Sequence, residues 1–320
     1  MESLKALFNS GGYAVPGAVD QRPLSITGPD GAAERILGSQ RKLQILTLSR
    51  SVTIFSLPGP AIPDPLPRLQ RELRCMALLG AGFLLVLAAV LSAATHGPFT
   101  LRWLPAALVC WSFVIWQCNR RLHKNRQSVD GGLQPTLGVA NLVTLMRGLL
   151  IAATAGFLFL SNKLPAWTLF IPAAFYTLAA LGDLLDGYLA RRRQQTTQLG
   201  SELDTALDAL GLLIAPLLAV LHGRLYASYL LVSVAYYLFQ SGLYWRRRQG
   251  KPVYPLPPST LRRQLAGFQM GLVAAALWPP LPGELTRPVG FLFMLPLLFG
   301  FWRDWLSVSG RLPATPEVVS

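Results

Sequence analysis

The sequence predicts an all-α integral membrane protein with about eight transmembrane helices. Three observations predict it. Apolar residues gather in eight long runs. Only 14% of the 320 residues are charged, against about a quarter in soluble domains. The basic residues cluster between runs, and mostly between alternate pairs of them. Mean hydropathy is +0.40. Since a helix needs roughly 20 mostly apolar residues to cross a bilayer, little chain is left for a soluble core.

The first run, Met76–Ala94, is uninterrupted by charge. The second, Trp103–Cys118, starts behind Arg102 and stops before Arg120-Arg121. The third, Val139–Leu160, is apolar except for Asn141, Arg147 and a few hydroxyls. The fourth, Ala166–Leu181, runs into Asp183. The fifth, Ala206–Leu221, starts among acidic residues, and the sixth, Leu225–Tyr244, ends at WRRR. The seventh, Leu265–Trp278, is short and enters from LRR. The eighth, Val289–Trp305, carries the last aromatic residues. Ahead of them, residues 1–74 are Gly/Pro-rich and read as a cytosolic N-terminal segment, with apolar β-branched stretches that could form a strand or two. Its start lacks a basic-then-apolar signal pattern, so the first membrane helix is expected to serve as the targeting signal.

Charge orients the helices. With the N-terminus in the cytosol, the inner segments hold RLQRELR, RRLHKNR, ARRR, WRRRQGK and LRR. The outer loops then hold one basic residue each, Arg102, Lys163, Arg224 and Arg287. This asymmetry follows the positive-inside rule and places both termini in the cytosol. The net charge of +14 is thereby explained by membrane topology; no nucleic-acid recognition module is legible. Cys75, Cys110 and Cys118 form no CxxC or Cys/His cluster, so neither a zinc site nor a disulfide framework is implied. His96, His123 and His222 stand apart near different run ends.

The segment Leu181–Leu210 joins the fourth and fifth runs and contains Asp183, Asp186, Asp204 and Asp208. Ionisable groups this close to the membrane are costly and mark function. Asp183 and Asp186 are three apart and Asp204 and Asp208 four apart, so each pair shares one face of a helix. Side by side, the two helices would bring four carboxylates together, which is tolerable only with protons or metal ions. Hard oxygen ligands suit Mg²⁺ or Mn²⁺, and two such ions could clamp a pyrophosphate. Gly187 and Ala190 leave room on the same face, and the Arg191 guanidinium suits phosphate oxygens.

Asp183-x2-Asp186-Gly187-x2-Ala190-Arg191-x8-Gly200-x3-Asp204-x3-Asp208 resembles the signature of the CDP-alcohol phosphatidyltransferases at all of its fixed positions. Asn141-x2-Thr144-x2-Arg147 is similar to the start of that family's first helix, and Ser259–Met270 to the entry of its fifth, with Arg263 and Gln269 at matching positions. Ala266 departs from the Thr of many members. The resemblance implies a six-helix core within residues 129–310, preceded by a two-helix membrane extension at 75–128 and followed by a tail at 311–320.

It further implies a transferase of phospholipid biosynthesis that moves the phosphatidyl group of a CDP-linked lipid to a small alcohol, releasing CMP. By that resemblance Asp183, Asp186, Asp204 and Asp208 hold two Mg²⁺ or Mn²⁺ ions, and Asp208 is also the catalytic base. Asn141, Thr144, Gly187, Ala190, Arg191 and Gly200 would bind the CDP-lipid. Arg147, Arg262 and Arg263 are the candidates for the acceptor and favour a phosphorylated polyol, although Asp208-Ala209-Leu210 stands where many glycerol-phosphate users have D-K-L. Partners would be membrane lipids and, as in many members, a second copy of the chain; no nucleic acid is implied. The second reading is a divalent-cation channel or carrier with the Asp cluster as its ion site. The expected location is the cytoplasmic membrane, with the active site facing the cytosol.

Overall fold

The structure, a computed structural model, describes residues 65–95, 99–128, 131–159, 165–193, 197–254, 256 and 260–311, and only the backbone of 184–193 and 260–263. The strand or two expected in the N-terminal segment lies outside the described residues, as does Lys163. Among the described residues there is no strand. The described residues form eight α-helices: α1 Leu66–Thr95, α2 Phe99–Asn119, α3 Gly138–Gly156, α4 Phe170–Arg193, α5 Gln198–Leu221, α6 Leu230–Arg248, α7 Thr260–Leu277 and α8 Gly283–Val308. Each apolar run becomes one helix.

Five helices (α1, α2, α3, α5 and α8) are long and apolar enough to cross a membrane. The other three fall short for visible reasons. The last turns of α4 carry the acidic and basic motif residues, α6 ends in Arg246, Arg247 and Arg248, and the apolar part of α7 is only Gln264–Leu277. Large apolar side chains such as Leu78, Leu101, Leu238 and Leu292 point outward. That pattern suits a lipid solvent, and the chain is an integral membrane protein.

Helices outrun their apolar runs where polar residues find work. α1 begins at Leu66, ahead of Met76, because RLQRELR is itself amphipathic. Leu69 and Leu73 are buried, and Glu72 accepts a 2.9 Å hydrogen bond from the Leu137 backbone N–H. α5 starts at Gln198, where the Thr197 hydroxyl accepts from the Gly200 N–H at 3.1 Å, an N-cap of the usual kind.

The second helix packs on α3 through small residues. A Cβ on Gly148 of α3 would lie 2.7 Å from Val114 of α2, and one on Gly156 would lie 2.6 Å from Trp103. Bringing backbones this close is how membrane helices gain packing energy when the hydrophobic effect is absent. The turn after α2 is fastened to α5 by Arg121 and Lys124, which pair with Glu202 at 3.2 and 2.6 Å.

At the other end of the bundle, two of the arginines expected in outer loops are absorbed by carbonyls. Arg224 donates to the Leu281 and Pro279 oxygens, and Arg287 Nε donates to the Gly223 oxygen at 2.7 Å. Gly223 has φ +66°, a conformation that disfavours side chains, and it reverses the chain after α5.

Candidate active site

Three helices meet at a buried cluster of charge. α4 supplies Asp183 and α5 supplies Asp204 and Asp208; all three are buried, and one carboxylate oxygen of each lies within 4.8 Å of the others. α3 inserts Arg147 among them, 2% exposed. Its Nη1 donates to Asp204 Oδ1, its Nη2 to Asp208 Oδ1 at 2.8 Å, and Nη2 lies 3.0 Å from Asp183 Oδ1. Its Nε donates to the Ala179 carbonyl of α4 at 3.2 Å, which fixes the plane of the fork.

Three carboxylates sharing one guanidinium remain net negative as a group. Oxygens this close suit a hard divalent cation. Asp208 Oδ2 is buried and accepts no hydrogen bond among the described residues, so it offers a lone pair to a proton or an ion. The donor set of Asp183, Asp204 and Asp208 therefore fits a hard divalent cation. Asp186 follows Asp183 by three residues on α4, hence on the same face; its side chain lies outside the described residues.

Residues 137–302 match the family model described as CDP-alcohol phosphatidyltransferase. The chain belongs to the CDP-alcohol phosphatidyltransferase family. It is similar to a Pseudomonas fluorescens protein named CDP-diacylglycerol–glycerol-3-phosphate 3-phosphatidyltransferase, 37% identical over 93 residues, covering 29% of this chain and 46% of that one. A protein of the same name from Salmonella choleraesuis (strain SC-B67) is 38% identical over 85 residues, 26% of this chain and 44% of that one. Another from Yersinia enterocolitica is 31% identical over 148 residues, 45% of this chain and 79% of that one. The chain thus spans just under half the length of the first two relatives and most of the third. The region matching the family excludes α1 and α2.

The family signature can now be read in space. Its residues Asp183, Asp204 and Asp208 come together, and Arg147, expected to meet an acceptor, is at their centre. Asn141, expected to touch the CDP-lipid, is buried and donates to Leu137 O at 2.7 Å, Asn125 Oδ1 at 3.2 Å and Thr197 Oγ1 at 3.3 Å. Gly200 faces it: a Cβ there would lie 2.6 Å from Asn141 Oδ1. Thr144 donates back to Ala140 O at 3.0 Å. Gly187, Ala190 and Arg191 continue α4 beyond the aspartates, and Arg262 and Arg263 open α7; their side-chain positions lie outside the described residues. Gln269 is buried, accepts from the Tyr229 hydroxyl and donates to Phe293 O at 2.5 Å, tying α7 to α8.

Gly182 was missed in the sequence. A Cβ there would lie 2.7 Å from Arg147 Cγ, so this glycine makes room for the arginine stem. Its signal was present in the sequence: a small residue immediately before the first motif aspartate.

Proposed function

We propose that the protein transfers the phosphatidyl group of a CDP-linked lipid to a small alcohol and releases CMP. The observation that carries this reading is the buried convergence of Asp183, Asp204 and Asp208, on the family signature, within 4.8 Å. An apolar cavity of about 710 Å³ between α4 and α7 supports it. Asp183 stands on its wall beside Phe268, Met270, Ala274 and Trp278, so a chain lying there would bring a lipid phosphate toward the carboxylates.

In this reading Asp183, Asp186, Asp204 and Asp208 would hold two Mg²⁺ or Mn²⁺ ions, which would supply charge neutralisation at the pyrophosphate and acidify the acceptor hydroxyl. Asp208 accepts the proton of that hydroxyl through Oδ2. The acceptor oxygen bonds to the lipid-side phosphorus, and the bond from that phosphorus to the bridging oxygen breaks. The electron pair leaves with CMP, and Arg191 is the proposed partner of the phosphate charge. Gly187 and Ala190 keep the adjoining face of α4 open to the nucleotide. Asn141, Thr144 and Gly200 shape the wall at the start of α3 and α5.

The acceptor we propose is a phosphorylated polyol, with glycerol 3-phosphate first among candidates because it stands in the relatives' names. Arg262 and Arg263 are its proposed partners, with Arg147 linking acceptor to carboxylates. The absence of a Lys after Asp208 sets this chain apart from many users of that acceptor. We place the enzyme in the cytoplasmic membrane as a homodimer, with the site and both termini on the cytosolic side, where the basic segments lie.

The test is CMP release from CDP-diacylglycerol by purified protein with Mg²⁺, each acceptor supplied separately: glycerol 3-phosphate, inositol 1-phosphate, inositol, serine or none. Release that depends on glycerol 3-phosphate is expected. Release with inositol or serine alone overturns the acceptor, and no release with any from protein that binds CDP-lipid overturns the transferase reading.

A further inference from the structure

We propose that the groove between α1 and α2, outside the region matching the family, binds one anionic phospholipid. The groove has a volume of about 510 Å³, within the range that ligand sites occupy. Its apolar floor is Leu73, Ala77 and Ala81 from α1 with Leu108, Trp111 and Ile115 from α2. It runs from Gln70 to Ala81 on one helix and from Asn119 back to Leu108 on the other. At 1.5 Å per residue that is about 17 Å, close to the roughly 15 Å of one leaflet's hydrocarbon. One acyl chain fits this length.

The floor is built. The Trp111 indole N–H donates to Ala77 O at 3.0 Å. Its ring lies where a Cβ on Gly80 would be, 2.4 Å from the nearest ring carbon. The N–H edge of the ring is therefore held against α1.

Charge is concentrated at one end. α1 and α2 form a hairpin whose two open ends lie together, so Arg74 and Asn119 both line the same mouth. The Arg120 guanidinium sits 4.6 Å above the Trp116 ring, and Trp116 also lines the groove. Among the described residues neither Arg74 nor Arg120 pairs with a carboxylate. Glu72, the nearest acid in sequence, is turned to another face of α1 and is held by the Leu137 N–H at 2.9 Å and Arg68 at 3.5 Å. A slot about 17 Å long with an apolar floor, and with two cations and two amides (Gln70 and Asn119) at its headgroup end, matches a phospholipid whose headgroup carries net negative charge.

The test places the full protein in phosphatidylcholine nanodiscs with phosphatidylglycerol, brominated on its chains, as a minor component. Tryptophan quenching is the readout. The expected result is saturable quenching that exceeds that of equally dilute brominated phosphatidylcholine and is reversed by unbrominated phosphatidylglycerol. Trp116→Phe should remove the larger part of the saturable component. Arg74→Gln and Arg120→Gln, both at exposed positions, should each weaken enrichment roughly fivefold, as one basic residue at an anionic leaflet does. Ser112→Phe, which fills the groove, should abolish it. Equal quenching by both brominated lipids, or enrichment unchanged in the two arginine variants, overturns the proposal. So does a Trp116 that no brominated lipid quenches, the result if another segment of the chain occupies the groove.

Discussion

Arg147 offers the sharpest test of how the carboxylate cluster is held together. Replacing it with Ala leaves Asp183, Asp204 and Asp208 without the guanidinium that two of them hydrogen-bond and the third meets at 3.0 Å. Removing one partner from a buried ion pair destabilises by about 3–5 kcal/mol, because the remaining charge stays buried. With three carboxylates involved, the upper part of that range applies. In a helical bundle of this size that corresponds to a drop in Tm of roughly 10 °C or more.

The assay is thermal unfolding in detergent, in EDTA and across a Mg²⁺ titration. In EDTA, Arg147→Ala should show the full loss. Arg147→Lys should fall between, because an ammonium is a point charge without the planar fork. Mg²⁺ should stabilise Arg147→Ala more than the parent, at a lower half-maximal concentration, because the ion no longer competes with the guanidinium. A bound ion at 100 times its Kd returns about 2.7 kcal/mol, so rescue would be substantial but incomplete. Two results would refute the reasoning. An Arg147→Ala protein with unchanged Tm in EDTA would mean that the guanidinium does not hold the cluster. A Mg²⁺ response equal to the parent's would mean that ion and arginine do not share these carboxylates.

Three other outcomes are expected. Asp208→Asn keeps the shape of the buried side chain but removes the base, so CMP release should fall by about 10²–10⁴-fold while CDP-lipid binding stays; normal turnover would move the base elsewhere. Gly200→Ala should lose about 1–3 kcal/mol by overpacking, since its Cβ would lie 2.6 Å from Asn141 Oδ1; combined with Asn141→Ala, the loss in Tm should be less than additive. His222 caps the C-terminus of α5, and burial, helped by Arg224, holds its imidazole below the ordinary range. The unfolded chain then binds a proton that the folded chain refuses, so stability should fall as pH drops below about 6.5 and be unaffected above it. His222→Gln should flatten that acid limb, and a limb of the same depth in the variant would assign it to other groups.

Spacing along a single helix was legible, because periodicity decides it: Asp204 and Asp208 share a face of α5, and the eight apolar runs mark eight helices. Meetings between helices were not. Nothing in Asn141-x2-Thr144-x2-Arg147 says that the arginine reaches across to both α4 and α5, so it read as an acceptor residue. Its position was set by packing, through the Ala179 carbonyl and the space at Gly182. Likewise the outer arginines read as topology markers, but Arg224 and Arg287 are also the donors that satisfy turn carbonyls. Charge pattern along the chain could orient the helices without revealing that second use.

Glycines account for how the cluster is assembled. Three close approaches bring α3, α4 and α5 to the distance at which their charged groups meet. α3 passes α2 and α5 at Gly148, where a Cβ would lie 2.7 Å from Val114 and 3.3 Å from Leu207. α4 lets the Arg147 stem by at Gly182, and α5 takes Asn141 against Gly200. None of the three has a positive φ, so what each supplies is room rather than backbone freedom. A methyl at any of them would push apart helices whose charges are stabilised only at contact, and a buried carboxylate drawn away from its cation becomes a penalty. α2, outside the region matching the family, shares in one of these approaches through Val114. The added hairpin therefore helps to press the arginine-bearing helix into the site, and widening the α2–α3 contact should loosen the carboxylate cluster without touching any of its members.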